Sequence, residues 1–199
     1  SEPVDKWSDP DHETGYQEHH DCSLPEVRRA FDEEIDSLPG PDTPNLYTFA
    51  NSCRTFCAWQ KLNKGTRTWE CPDGDGSNAN EVNANEMNDW TADCIVRIDK
   101  AGKLFLFENQ AADGIYPKAW NRTSMKQAIA LTGAQIIPSV MCAWGLCPPD
   151  QPKKRHRKRF WLLVSKALVP RIYFIWRTCV RGDHVALAGN IPGTSTRRT

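Results

Sequence analysis

A chain of 199 residues, 39% hydrophobic and 25% charged, has enough apolar material for one moderate domain or two small ones and is excluded from the disordered class. The formal net charge is zero, yet residues 1–150 hold 13 Lys+Arg against 24 Asp+Glu, a balance of −11, and residues 151–199 hold 12 Lys+Arg against the single acid Asp183, a balance of +11. No run is long and apolar enough to span a bilayer, since the most apolar stretch, Phe160 to Trp176, is interrupted by Lys166, Pro170 and Arg171.

Taken in chain order, residues 1–22 are acidic and aperiodic and read as an N-terminal arm. Ser23 and Glu26 form a capping-box pattern, with Pro25 in the first turn where its missing N–H costs nothing. Leu24, Val27, Phe31, Ile35 and Leu38 follow at helical spacing until Pro39-Gly40-Pro41 stops them, which predicts a helix. A second helix is expected from about Tyr47 to Lys61, with Phe49, Cys53, Phe56, Cys57 and Gln60 on one face. Residues 62–80 are rich in Gly, Asn and Asp and read as loop. A short tandem repeat, Asn-Ala-Asn-Glu-Val then Asn-Ala-Asn-Glu-Met, occupies 78–87 and is too short for a solenoid.

Cys94–Ile98 and Leu104–Phe107, joined by a five-residue connection containing Gly102, read as a bulged hairpin in the middle of the domain, because both faces of each strand are apolar. Thr123 or Ser124 is placed to cap a short helix through Leu131, closed by Gly133. Ile136 to Met141 contains Pro138 and so predicts an edge strand. Phe160 to Val169 is ambiguous between helix and strand, whereas Arg171 to Val180 and His184 to Ala188 read as strands. The expected class is α+β: a small antiparallel sheet with two or three short helices, stapled by disulfides. Residues 23–190 form the domain, with a possible sub-boundary near 150, and 191–199 a flexible tail.

The staples are inferred from eight cysteines, Cys22, Cys53, Cys57, Cys71, Cys94, Cys142, Cys147 and Cys179, an even number scattered over most of the chain. No pair has the Cys-x-x-Cys spacing of a zinc ribbon, so disulfides are favoured over metal. Eight cysteines allow 105 pairings, and none is assigned. A chain beginning at Ser1 fits removal of a signal peptide, or simple trimming. Asn121-Arg122-Thr123 is a glycosylation acceptor of the kind used in secretory compartments.

The basic run Lys153, Lys154, Arg155, His156, Arg157, Lys158, Arg159 admits four readings. It can be a phosphate- or nucleic-acid-binding patch, an import signal, a dibasic processing site at Lys158-Arg159, or a solvated loop that complements the acidic part of the chain. His12, His19 and His20 lie among carboxylates, but without a period that would fix metal geometry. Asp73-Gly74-Asp75-Gly76-Ser77 looks faintly like a calcium loop and fails in either register, since the twelfth position is Ala84 from Asp73, and Ala79 and Asn80 stand at the fifth and sixth positions from Asp75. No Gly-x-Ser-x-Gly, His-Glu-x-x-His or phosphate loop occurs. Arg181-Gly182-Asp183 matches an adhesion tripeptide of a kind expected often by chance.

In its start without Met, even cysteines, Trp-rich core and lack of a catalytic motif, the chain resembles small secreted cysteine-rich fungal effectors as a general class. That resemblance implies an extracellular protein, with entry into a host cell left open. It would bind a host or competitor protein or surface, with no cofactor and no assigned oligomeric state. The alternative is a secreted, ribonuclease-like hydrolase whose basic segment holds phosphates.

Overall fold

The computed structural model of the chain describes residues 22–37, 46–57, 60, 64–111, 114–140, 155–156, 159–172, 184–185, 189–190 and 197–198. The first helix, α1 (Pro25–Asp36), starts as its sequence dictates, with Pro25 in the first turn and Val27 and Ile35 buried. The expected capping box does not form: Leu24 is the cap residue and no side chain caps the helix.

The segment expected to be a second helix begins instead with strand β1 (Leu46–Phe49), in which Tyr47 and Phe49 are buried and their neighbours exposed. Alternation of period two prevails over the looser helical spacing. Among the described residues, a single 3-10 turn follows, Arg54–Phe56. Cys94–Ile98 is likewise no strand. It lies inside α2 (Ala79–Lys100), which buries Glu81, Asn88, Thr91, Ala92, Cys94, Ile95 and Ile98. Those positions recur at helical spacing, but three of them are polar, so the apolar stripe is broken in the sequence. Asn78 caps this helix, its side chain accepting from the Asn80 N–H at 3.0 Å.

The other half of the expected hairpin is correct as a strand, β2 (Leu104–Gln110). After a 3-10 turn at Ala119–Asn121 comes α3 (Thr123–Thr132), capped by neither Thr123 nor Ser124 and closed by Gly133 in the left-handed region at φ 62°. Strand β3 (Gln135–Val140) and strand β5 (Arg159–Val164) complete the main sheet. Between them lies the two-residue β4 (Arg155–His156), parallel to β6 (His184–Val185). Arg171 and Ile172, expected to open a strand, belong to the short helix α4 (Val169–Ile172). In the expected tail, β8 (Arg197–Arg198) pairs with β7 (Gly189–Asn190).

The class is therefore α+β, but the sheet is mixed rather than antiparallel and α2 is long, at 22 residues. Its order is β1-β2-β5-β3. Strand β1 runs parallel to β2, and β5 is antiparallel to both β2 and β3. As expected, β2 is interior and the Pro138-bearing β3 is an edge.

One face of the sheet is covered by helices: Ile35, Ile95, Ile98, Met125 and Ala128 pack with Phe105, Phe107, Trp120 and Leu163. Edge-on rings of Phe31, Tyr47, Phe49 and Trp90 bind α1 to this core at centroid distances of 5.5–6.2 Å. The opposite face carries a smaller cluster of Ile137, Leu162, Val164 and Leu168. Arg97 clamps α1 to α2 through Asp32 and Asp36, both at 2.6 Å, and the Trp90 indole N–H also donates to Asp32. Burial works against the Arg97 charge, but the hydrogen bonds to Asp36 and Asp32 outweigh it and hold the guanidinium above its ordinary value.

No sulfur–sulfur bond joins any two of the five described cysteines, Cys22, Cys53, Cys57, Cys71 and Cys94. The expected stapling is thus not seen among them; Cys142, Cys147 and Cys179 lie outside the described residues. Cys94 is instead core filling, fully buried, with its thiol 3.8 Å from Asp32 Oδ1. Burial pushes that thiol well above its usual range, and Asp32 adds to the shift. No described helix is long and apolar enough to cross a membrane.

The topology fixes where function can sit. Strands β1, β2 and β3 point the same way, because β3 and β2 are both antiparallel to β5. Their carboxyl ends, the amino ends of α2 and α3 and the intervening loops therefore gather at one end of the molecule. In sheets with parallel strands this is the end that binds.

Candidate functional site

The loop from Lys64 to Asn78 lies at that end, just before α2. A polar loop of fifteen residues would ordinarily be loosely held, but this one is tied at its base by a buried ion pair. Arg67 and Glu81 are 3.8 Å apart, with side chains 0% and 2% exposed. Arg67 donates through Nε to Thr55 O (3.1 Å), through Nη1 to Pro72 O (2.6 Å), and through Nη2 to Thr55 Oγ1 and Glu81 O (both 3.2 Å). Its guanidinium also lies 4.0 Å over the Phe56 ring, a contact worth about 2 kcal/mol when desolvated. Burial pulls the Arg67 guanidinium down to about 10, with the Glu81 charge opposing the shift.

Glu81 is satisfied from the loop side. Thr66 N–H donates to Oε1 at 3.0 Å and Thr66 O–H donates to Oε2 at 2.6 Å. The Thr66 hydroxyl oxygen in turn accepts from Asp75 N–H at 2.9 Å, which folds the second half of the loop onto the first. Gly74 is required at this crossing. Its φ is +78°, and a Cβ there would lie 2.5 Å from Glu81 Oε2 and 2.7 Å from Thr66 Oγ1.

A second tie is made by Arg122, in the residue before α3. Its side chain is 5% exposed; Nη1 donates to Asp73 Oδ1 and Nη2 to Asp89 Oδ1 and Oδ2, all at 2.7 Å. Ser124 O–H donates to Asp89 as well. Asn85 Nδ2 donates to Asp73 O (2.7 Å) and Asn78 Nδ2 to Lys64 O (3.2 Å). Four segments thus hold the loop: the turn after β1, α2, the residues before α3, and the loop itself.

The apex is the turn Thr68-Trp69-Glu70-Cys71. Thr68 N–H donates to Cys71 O (3.1 Å) and Cys71 N–H to Thr68 Oγ1 (3.0 Å). Gly74 N–H also donates to Cys71 O, and the Cys71 thiol donates to Gly74 O at 2.9 Å. Trp69 stands at the tip with 49% of its surface exposed. Beside it, Glu70, Asp73 and Asp75 are exposed, as are Lys64 and, on α2, Asp89. Hydrogen bonds from the Ser77 hydroxyl and N–H lower the Asp75 carboxyl below its ordinary value, so it stays ionised.

Among the described residues, five buried side-chain atoms have no hydrogen-bond partner: Gln60 Oε1, Asn85 Oδ1, Asn88 Oδ1, Gln110 Oε1 and Arg122 Nε.

The residues singled out from sequence fare differently. Lys153, Lys154, Arg157 and Lys158 lie outside the described residues, as do His12, His19, His20 and the tripeptide at 181–183. Arg155 has only its backbone described, in β4, and Arg159 is exposed at the start of β5, opposite Val140. The calcium-like segment is a turn whose Asp73 is spent on Arg122 and whose Asp75 is spent on Ser77. Asn121 is half-buried, its Oδ1 accepting from Lys118 N–H at 2.8 Å, and Arg122 of the same triplet is the buried hub. Sequence reasoning missed Trp69, Arg67, Glu81 and Gly74. The signal available was a large aromatic inside a Gly- and Asp-rich loop, an uneconomical place for Trp unless it makes a contact.

No protein-family model, curated protein or solved structure matches the chain.

Proposed function

We propose that the protein is a secreted, effector-like binding protein that acts on a host or competitor target through the loop end of the sheet, with Trp69 as the anchor. The observation that carries this reading is the over-determined loop. A buried ion pair, a buried Arg122 hub and a left-handed glycine packed against Glu81 and Thr66 hold the turn that carries an exposed tryptophan. Exposing a large aromatic gives the isolated fold nothing. Binding gains from it twice, because Trp is the commonest anchor of interfaces and because a pre-ordered loop has little entropy left to lose.

The ionisable groups at this end support binding rather than turnover. Arg67, Glu81, Arg122, Asp73 and Asp89 are directed at one another, which builds a scaffold. The extracellular setting rests on the cysteine count; of the described cysteines, Cys71 is the exposed one.

The test places a photo-crosslinking benzoylphenylalanine at position 69 of the full chain and exposes it to target-organism extract. One crosslinked protein is expected, displaced by excess unlabelled wild-type chain and less readily by Trp69→Ala. Absence of a displaceable crosslink, or robust turnover of RNA abolished by a single His or Glu change, would overturn the proposal.

A further inference from the structure

Resting on that binding reading, we infer that the loop surface takes a basic protein segment, a Lys or Arg side chain of the partner lying against the Trp69 ring while its neighbours face the flanking carboxylates. Three observations converge. Trp69 keeps about half of its surface exposed, and its backbone lies in the hydrogen-bonded Thr68–Cys71 turn. Among the described residues, the exposed ionisable side chains of the loop are Glu70, Asp73 and Asp75 against one base, Lys64, with Asp89 exposed on α2 where Arg122 joins it to Asp73. Arg67 is paired with Glu81, and Arg122 offsets one charge of the Asp73 and Asp89 carboxylates it bridges, so Glu70, Asp73, Asp75 and Asp89 still exceed Lys64 and Arg122 by two charges.

An aromatic face ringed by carboxylates attracts a cation in two ways, through the ring quadrupole and through Coulomb steering. It repels an acidic partner, so the surface is selective as well as attractive. A purely apolar partner would leave those carboxylates facing an uncharged surface, and nucleic acid would meet repulsion.

The experiment titrates the full chain with an oligo-arginine peptide, a size-matched Gly-Ser peptide and an oligo-glutamate peptide, and follows the Trp69 indole N–H by NMR, assigned with Trp69→Phe. Saturable movement is expected with oligo-arginine alone. Affinity should fall as salt rises and should weaken about 2- to 5-fold in Trp69→Ala, read at neighbouring amides. It should weaken further in Glu70→Gln/Asp75→Asn. No saturable movement, equal movement with the Gly-Ser peptide, or an affinity unchanged in the charge variant overturns the inference. A variant with Lys153, Lys154, Arg157 and Lys158 replaced by Ser should bind the peptide as the wild type does; tighter binding there would mean that the chain's own basic run occupies the surface, and would also overturn it. Failure of the position-69 crosslink with peptide selectivity intact would instead remove target binding and leave a charge-selective surface.

Discussion

Replacing Gly74 by Ala isolates the contact that folds the loop onto its base. At φ +78° the added methyl meets Glu81 Oε2 at 2.5 Å and Thr66 Oγ1 at 2.7 Å. Neither can give way freely: the carboxylate holds the Thr66 N–H and O–H, and Glu81 is 1% exposed. Two terms add. A non-glycine residue in the left-handed region costs about 1–2 kcal/mol, and leaving buried hydrogen-bonding groups without partners costs about 1–3 kcal/mol. Gly76 separates the terms, because its φ is +83° and a Cβ there would meet nothing within 4 Å. Gly76→Ala therefore carries the backbone cost alone. Urea unfolding of the two variants should place Gly74→Ala about 2 kcal/mol below Gly76→Ala at equal m-value. Equal stabilities would refute the reasoning, since the loop would then not be pressed against Glu81.

Arg67→Met should destabilise the chain by about 3–5 kcal/mol, because it strands the Glu81 charge in the interior; chemical denaturation reads this directly. Trp69→Ala should leave stability within about 0.5 kcal/mol of wild type, as befits an exposed side chain, while weakening target capture. The Cys94 thiol should resist alkylation in the native chain and react only on unfolding, whereas Cys71 labels at once, as mass analysis of modified peptides can show. The folded Cys94 thiol keeps its proton above pH 9, the ordinary thiol value, while the unfolded one loses it. Stability contributed by this group is therefore full below about pH 9 and falls above it, by about 1.4 kcal/mol per pH unit; Cys94→Ala should remove that part of the alkaline loss.

The fold was partly legible in the sequence. α1, the body and end of α3, β2 and the edge strand β3 follow from local rules: Pro in a first turn, Gly133 in the left-handed region, continuous apolar runs, Pro at an edge. α2 was not legible, because its buried stripe contains Glu81, Asn88 and Thr91: Glu81 is held by Thr66 and Arg67, Thr91 by Asn51, and Asn88 donates to Ala84 O in its own helix. The two copies of the pentapeptide do not share a helix face, since five residues turn a helix by about 500°, and Glu81 is buried while its repeat partner Glu86 is exposed. The parallel pairing of β1 with β2 is long-range and leaves no local trace. The site was hidden for the same cause, since the residues that fix the loop come from positions 55, 81 and 122.

The most direct test of the account is the backbone order of the loop, measured as 15N order parameters for residues 66–76 of the full chain. A loop locked by Arg67, Glu81 and Arg122 should give values of about 0.85, like the helices it rests on. Values below about 0.6 at Trp69 and its neighbours would mean that the tryptophan is not presented in one place, and the binding surface described here would not exist.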